Sequence, residues 1–212
     1  NGATPVDVVP KVTAGEVEVY SVVLPETKAH SIKVTAKTGT VTIHGFQISG
    51  PSGLQIHNVS CIGMSARVWT LDTTIPRDHA YVTNRLEDLL TPDIVAIMLG
   101  VNDLNAKLST QDTVANHQTI AEKYPDSLVV FLCQSQPTPG TNAVSEVDWA
   151  SFKVQFRAMA AALNAPLIDM DAHIGGNAKA VQGGYMLDFV HTTAQWHADC
   201  AELFASLLTK VF

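Results

Sequence analysis

From residue 92 onward the chain alternates short, almost uninterrupted apolar runs with longer stretches whose apolar residues recur every three or four positions. Pro92 and Asp93 mark a turn. The next run, Ile94-Val95-Ala96-Ile97-Met98, is apolar and partly β-branched, which suits a strand buried on both faces of a parallel sheet. Residues 127–133 (SLVVFLC) repeat that texture, and residues 166–170 supply a short final strand. The intervening patterns predict helices over 110–123, 146–163 and 194–208, and a shorter one over 83–90 that ends near Pro92. In the 146–163 helix, Trp149, Phe152 and Phe156 stand three and four apart, a stripe that reads as helix-to-sheet packing rather than as a sugar platform. This alternation predicts an α/β fold around a parallel sheet.

The first quarter of the chain has another period. Residues 16–24 (EVEVYSVVL), 30–36 (HSIKVTA) and 40–48 (TVTIHGFQI) alternate or are rich in β-branched residues, with turn signals at Pro25-Glu26-Thr27 and Lys37-Thr38-Gly39. They predict a small antiparallel β layer at the N-terminus. Such a layer cannot provide much core alone, so it is expected to pack on the α/β body or on a neighbouring chain. The chain thus divides into a β-rich layer over 1–52 and an α/β core over 53–212.

Composition narrows the function classes. The chain has 212 residues, 46% hydrophobic and only 16% charged, enough for one substantial core and a smaller appended layer. Its 13 basic residues against 20 acidic ones give a net charge of −7, which argues against a broad nucleic-acid surface. No apolar run approaches the roughly 18–20 residues of a membrane span. The three cysteines, Cys61, Cys133 and Cys200, are widely spaced in or beside apolar segments. They form neither a disulfide framework nor a zinc signature, and buried thiols are the default reading.

Two short segments carry candidate chemistry. Leu99-Gly100-Val101-Asn102-Asp103 closes the first core strand, and ligands in open α/β sheets bind outside the carboxyl ends of strands. Gly100 allows a sharp turn and room for a small ligand, while Asn102 offers an amide donor suited to a developing oxyanion. The alternative is a Gly-Val-Asn-Asp turn without a chemical role. Near the other end lies Asp188-Phe189-Val190-His191. A short turn or 3₁₀ segment at this spacing puts carboxylate and imidazole on one side of the backbone, where the carboxylate fixes the tautomer and the other ring nitrogen accepts a proton. The loop over 134–142, at the end of a strand and stiffened by Pro137 and Pro139, is a candidate rim. His173 and His197 lack the spacing of a helical zinc motif and are read as solvated or capping residues; His44, His57, His79 and His117 have no sequence partner. Neither metal nor cofactor is expected.

Taken in order, these segments resemble the blocks of the SGNH (GDSL-type) hydrolase family of lipases, acyl esterases and carbohydrate deacetylases. Gly100-Val101-Asn102-Asp103 matches its third block, Asp188-Phe189-Val190-His191 its last, and the segment Ile56-His57-Asn58-Val59-Ser60-Cys61-Ile62-Gly63-Met64-Ser65 looks like its second, with Gly63 as the block's glycine. The resemblance covers about 53–212 and implies a three-layer, flavodoxin-like parallel sheet. It also implies catalytic roles for Gly63 through its backbone N–H, for Asn102 through its amide, and for Asp188 and His191 as triad partners.

The first block, a Gly-Asp-Ser bearing the nucleophile, does not occur in these residues. Ser65 is the nearest serine to the second block, but its expected role is to cap a turn or the short helix through Trp69. The serine is therefore expected from a separate or preceding N-terminal segment or a neighbouring chain, and the missing strand either from that segment, which completes the sheet, or from the chain's own N-terminal residues. In family members from phage tails and secreted carbohydrate-active proteins a β-sandwich insert separates the first two blocks, and residues 1–52 look similar. The implied activity is ester hydrolysis, with O-acetylated glycan as the first substrate class and an extracellular or virion-associated location. The competing reading is a catalytically inactive structural or receptor-binding component of such an assembly.

Overall fold

The computed structural model of the chain describes residues 56, 63–70, 91–137, 144–188 and 190–211. The N-terminal antiparallel layer, the helix expected over 83–90, Cys61, and the rim residues 138–142 lie outside them. In chain order the described elements are α1 (Ala66–Thr70), β1 (Ile94–Ile97), α2 (Val101–Asn105), α3 (Thr110–Glu122), β2 (Leu128–Cys133), α4 (Glu146–Ala162), β3 (Leu167–Asp169), α5 (Met170–Ile174), α6 (Asn177–Gln182) and α7 (Ala194–Val211).

The three described strands form a parallel sheet in the order β1-β2-β3, with Ile94 opposite Leu128 and Phe131 opposite Leu167. Successive side chains of a strand point to opposite faces. β2 divides its side chains accordingly: Phe131 and Cys133 enter one core with Trp149, Phe152 and Phe156 of α4, while Val130 and Leu132 enter a second with Met170, Trp196 and Cys200. The uninterrupted apolar run of β2 is the signature of burial on both faces, by α4 on one side and α7 on the other. β1 is less covered than its sequence suggests, since Ala96 and Met98 are exposed; among the described strands it has a neighbour on one edge only.

Helix starts follow from capping chemistry. Ser109 and Ser145 accept hydrogen bonds from the backbone N–H groups of Asp112 and Asp148, each 3.0 Å, and their hydroxyls donate back to the same aspartates. Each cap satisfies an orphan donor of the first turn, and each aspartate complements the positive end of its helix. The aromatic stripe of α4 packs as its spacing predicts. Phe156 meets Phe131 of β2 edge-on at 5.4 Å between ring centroids and stacks on Phe152 at 5.0 Å.

Three short helices have no counterpart in the periodicity. α2 occupies the segment read as a turn, and α5 and α6 follow β3 directly, so that Met170 begins a helix instead of ending a strand. Helices of five or six residues are too short to show a repeat and depend on tertiary contacts. Asp169 caps α5 through the backbone N–H of Ala172, and Gly175 ends it in the left-handed region at φ 91°.

Candidate active site

The carboxyl ends of β1 and β2 lead into the segments that carry the candidate chemistry. At Gly100 the backbone adopts φ 112°, which disfavours any L side chain, and turns from β1 into α2. The space beside it is filled rather than open. A Cβ placed there would lie 2.9 Å from Cζ of Phe152 and 3.4 Å from Cε1 of His117. The expected room for a small ligand at Gly100 is thus taken by two core rings, and the glycine serves the approach of β1–α2 to α4.

α2 then presents Asn102 and Asp103 in succession. Asn102 Nδ2 donates to the carbonyl of Met64 at 2.7 Å. Because the partner is a carbonyl, the amide orientation is fixed, and the NH₂ group keeps a second hydrogen for another acceptor. Asp103 is fully buried, and its two oxygens accept from the backbone N–H groups of Ala66 at 2.8 Å and Arg67 at 2.9 Å. Gly63, exposed and at φ 77°, precedes this clamped segment. No described residue lies within 4 Å of a Cβ built on it, and the positive φ is what favours the glycine. Ser65 occupies the capping position expected of it: Val68 N–H approaches both its carbonyl at 3.1 Å and its hydroxyl at 3.4 Å.

The other half of the site is a hairpin-like loop. Met186 and Thr192 form an antiparallel bridge, Leu187 N–H donates to the His191 carbonyl at 2.8 Å, and Thr193 N–H donates to the Tyr185 carbonyl at 3.0 Å. Within it Asp188 Oδ1 accepts from the backbone N–H groups of Val190 and His191, each 2.7 Å, and Oδ2 meets His191 Nδ1 at 2.7 Å. These bonds from His191 and Val190 stabilise the ionised carboxyl and hold it down to about 2. With Nδ1–H facing a carboxylate, Nε2 carries the free lone pair. The imidazole is 75% exposed, with Nε2 open to a proton donor.

The structure therefore brings Gly63 to Asn102, and Asp188 to His191. Among the described residues no hydrogen bond crosses between the two pairs. Val190, next to His191, packs against the large core cluster to which Met64, Val101 and Leu104 also belong.

The described part of the rim is rigidly tied. Gln136 N–H donates to buried Asp171, which also pairs with Lys153; Asn177 Nδ2 donates to the Gln136 carbonyl; and Trp196 Nε1 donates to Ser135 Oγ at 2.9 Å. Asp171 anchors this loop, Asp169 pairs with Arg157, and His173 is exposed. His197 is exposed with Nε2 near the Thr192 hydroxyl at 3.3 Å, and no metal-binding cluster occurs among the described residues. Cys133 and Cys200 are free and buried, and burial pushes both thiols up. No helix among the described residues is long and apolar enough to cross a membrane.

Against this geometry the comparisons with known proteins are informative. The sequence model of the GDSL-like lipase/acylhydrolase family matches residues 48–198, which include Gly63, Asn102, Asp188 and His191. The fold is similar to that of the native aryl esterase of M. smegmatis, with a TM-score of 0.50 at 19% identity over 66% of this chain and 72% of that one. It is also similar to a carbohydrate acetylesterase from Sinorhizobium meliloti, with a TM-score of 0.52 at 15% identity and the same coverage, 66% and 72%. A comparison with curated protein sequences gives no match. The match over most of its length, on a parallel sheet flanked by helices, shows that the chain belongs to the GDSL-like lipase/acylhydrolase family.

Proposed function

We propose that the chain belongs to a serine esterase that removes O-acetyl groups from a carbohydrate, with Asp188 and His191 as its acid-base pair and Gly63 and Asn102 as its oxyanion donors. The observation that carries this reading is the 2.7 Å contact between Asp188 Oδ2 and His191 Nδ1, which leaves Nε2 of an exposed ring free to accept a proton. The nucleophilic serine comes from a Gly-Asp-Ser segment outside these 212 residues, which contain none.

In the reaction, His191 Nε2 takes the hydroxyl proton as the serine oxygen attacks the ester carbonyl. The carbonyl oxygen, now an oxyanion, accepts hydrogen bonds from Gly63 N–H and from the second hydrogen of Asn102 Nδ2. Asp188 holds the imidazole in its reactive tautomer and stabilises its protonated form. Collapse of the intermediate breaks the bond to the alcohol, whose oxygen takes the proton from His191. Water, activated by the same ring, then hydrolyses the acyl-serine and releases the acid. The openness of His191 suits a small acyl group on a bulky polar alcohol, and a carbohydrate acetylesterase shares the fold.

The test compares this chain with the same chain extended by its natural upstream residues, using an aryl acetate and an O-acetylated polysaccharide. The expected result is acetate release by the extended protein and little by the 212 residues alone. Robust turnover by the isolated chain would overturn the assignment of the nucleophile, and Ser65→Ala would then decide whether Ser65 supplies it. Inactivity of the extended protein on both substrates would favour the structural or receptor-binding alternative.

A further inference from the structure

Asn102 is followed by a residue with no part in the reaction just described, yet it makes more long-range hydrogen bonds to the Gly63 segment than Asn102 does. We propose that Asp103 is the positioning residue of the oxyanion site, its carboxylate setting the Gly63 backbone N–H in register with the Asn102 amide. This rests on the proposed function only in taking Gly63 and Asn102 as the oxyanion donors.

At five residues α1 is too short to hold itself, and its first N–H groups need acceptors from elsewhere. Asp103 supplies both, to Ala66 at 2.8 Å and Arg67 at 2.9 Å, from a position with no solvent exposure. A buried carboxylate is costly unless its lone pairs are used, and here each oxygen has a backbone donor. The far end of α1 is tied as well, because Lys123 Nζ donates to the Trp69 carbonyl at 3.0 Å. A negative group at the helix start and a positive group at its end both complement the peptide dipoles.

Asn102 and Asp103 are neighbours in α2, so one rigid turn grips Met64, Ala66 and Arg67, three of the four residues that follow Gly63. Gly63 itself is exposed, and among the described residues nothing stands within 4 Å of where a Cβ on it would lie. The bonds that hold Met64, Ala66 and Arg67 therefore set the Gly63 peptide from its C-terminal side. An oxyanion donor misplaced by a fraction of an ångström loses much of its transition-state advantage while substrate binding is largely kept. Asp103 thus acts on kcat through Gly63 and touches no substrate.

Asp103→Asn tests this in the protein carrying its natural upstream sequence. The amide keeps the shape but offers one acceptor, and its NH₂ group faces the other backbone N–H. The expected result is a kcat on aryl acetate reduced about 10- to 100-fold with KM changed less than about twofold. Amide hydrogen exchange should quicken at least about tenfold at Ala66 and Arg67, whose N–H groups Asp103 holds, while β2 and α4 keep their protection. Equal quickening throughout, or unchanged kcat per folded molecule, would overturn the proposal. If the parent protein hydrolyses no ester, the proposed function fails, and exchange at Ala66 and Arg67 still decides whether Asp103 holds the segment. Where the Asn variant does not fold, Asp103→Ser, which keeps one acceptor at smaller volume, is read by the same outcomes.

Discussion

The two halves of the candidate site are built in opposite ways. Asn102 and Asp103 reach across 36 to 38 residues to the segment after Gly63, with Asp103 fully buried. Asp188 and His191 are three residues apart in an exposed loop and satisfy one another locally. In the proposed reaction, the donors that meet a charge at a fixed point would thus be tied to the core. The group that would receive and return a proton is held by a local turn and left accessible. A static oxyanion site gains from preorganisation, whereas an imidazole needs a fixed tautomer and a path to two different oxygens.

This contrast predicts that substitutions in the two halves divide differently between activity and stability. The largest effect on activity is expected at His191→Ala, where kcat should fall about 10³-fold or more, about 4 kcal/mol of barrier, with the melting temperature almost unchanged. Kinetics and thermal melts on the protein with its upstream residues check both. A large loss of stability would show that the exposed loop supports the core after all.

Asn102→Ala should cost about 10²–10³ in kcat. It should also destabilise measurably, because the Met64 carbonyl loses its partner. An activity loss below about fivefold would remove Asn102 from the oxyanion site.

Gly100→Ala should leave chemistry alone and lower stability by about 2–4 kcal/mol, from the positive φ and the contact with Phe152 together. Denaturant unfolding measures it. A near-neutral outcome would mean that α4 gives way, and the β1–α2 junction would be softer than its packing implies.

The smallest effect is a pH dependence in the core beneath the oxyanion half. His117 is fully buried against Phe152 and Phe156, with Nδ1–H donating to the Thr113 carbonyl at 2.7 Å. Burial pushes its pKa down, partly opposed by the bond to Thr113 and by Asp103. The unfolded chain therefore takes up a proton near pH 6.5 that the folded chain refuses, and stability falls as pH drops below that value. The limiting slope is about 1.4 kcal/mol per pH unit for one such group. His117→Gln should flatten unfolding free energy between about pH 7 and pH 5. An unchanged slope would assign the acid sensitivity elsewhere. Asp188 has the carboxylate form of this linkage, its contribution being present above the ordinary carboxylate range and lost only as pH falls towards about 2. The His191 turn should accordingly keep its carboxylate bonds at about pH 4.

Much of the fold is legible in the sequence because burial leaves a periodic trace. β2 is continuously apolar since two cores share it, and α4 carries its aromatic residues at helical spacing since one face meets the sheet. Asp188 and His191 are legible for a related reason, their interaction being local and encoded by spacing. α2, α5 and α6 are not, because capping and tertiary contacts, not repeats, make such short helices. The role of Asp103 is hidden since its partners are backbone N–H groups 36 and 37 residues away, which no side-chain pattern records. Gly100 reads in the sequence as making space for a ligand because a glycine shows that a side chain is missing, not what fills the gap. Phe152 and His117 fill it.

The most direct measurement of the central claim is covalent labelling by a fluorophosphonate, which reacts with an activated serine, with peptide mass spectrometry to locate the label. It should be applied to the protein with its upstream residues and to its His191→Ala variant. The expected result is one labelled serine, upstream of Asn1, with labelling lost in the variant. Labelling that persists without His191, labelling at Ser65, or no labelled serine at all would contradict it.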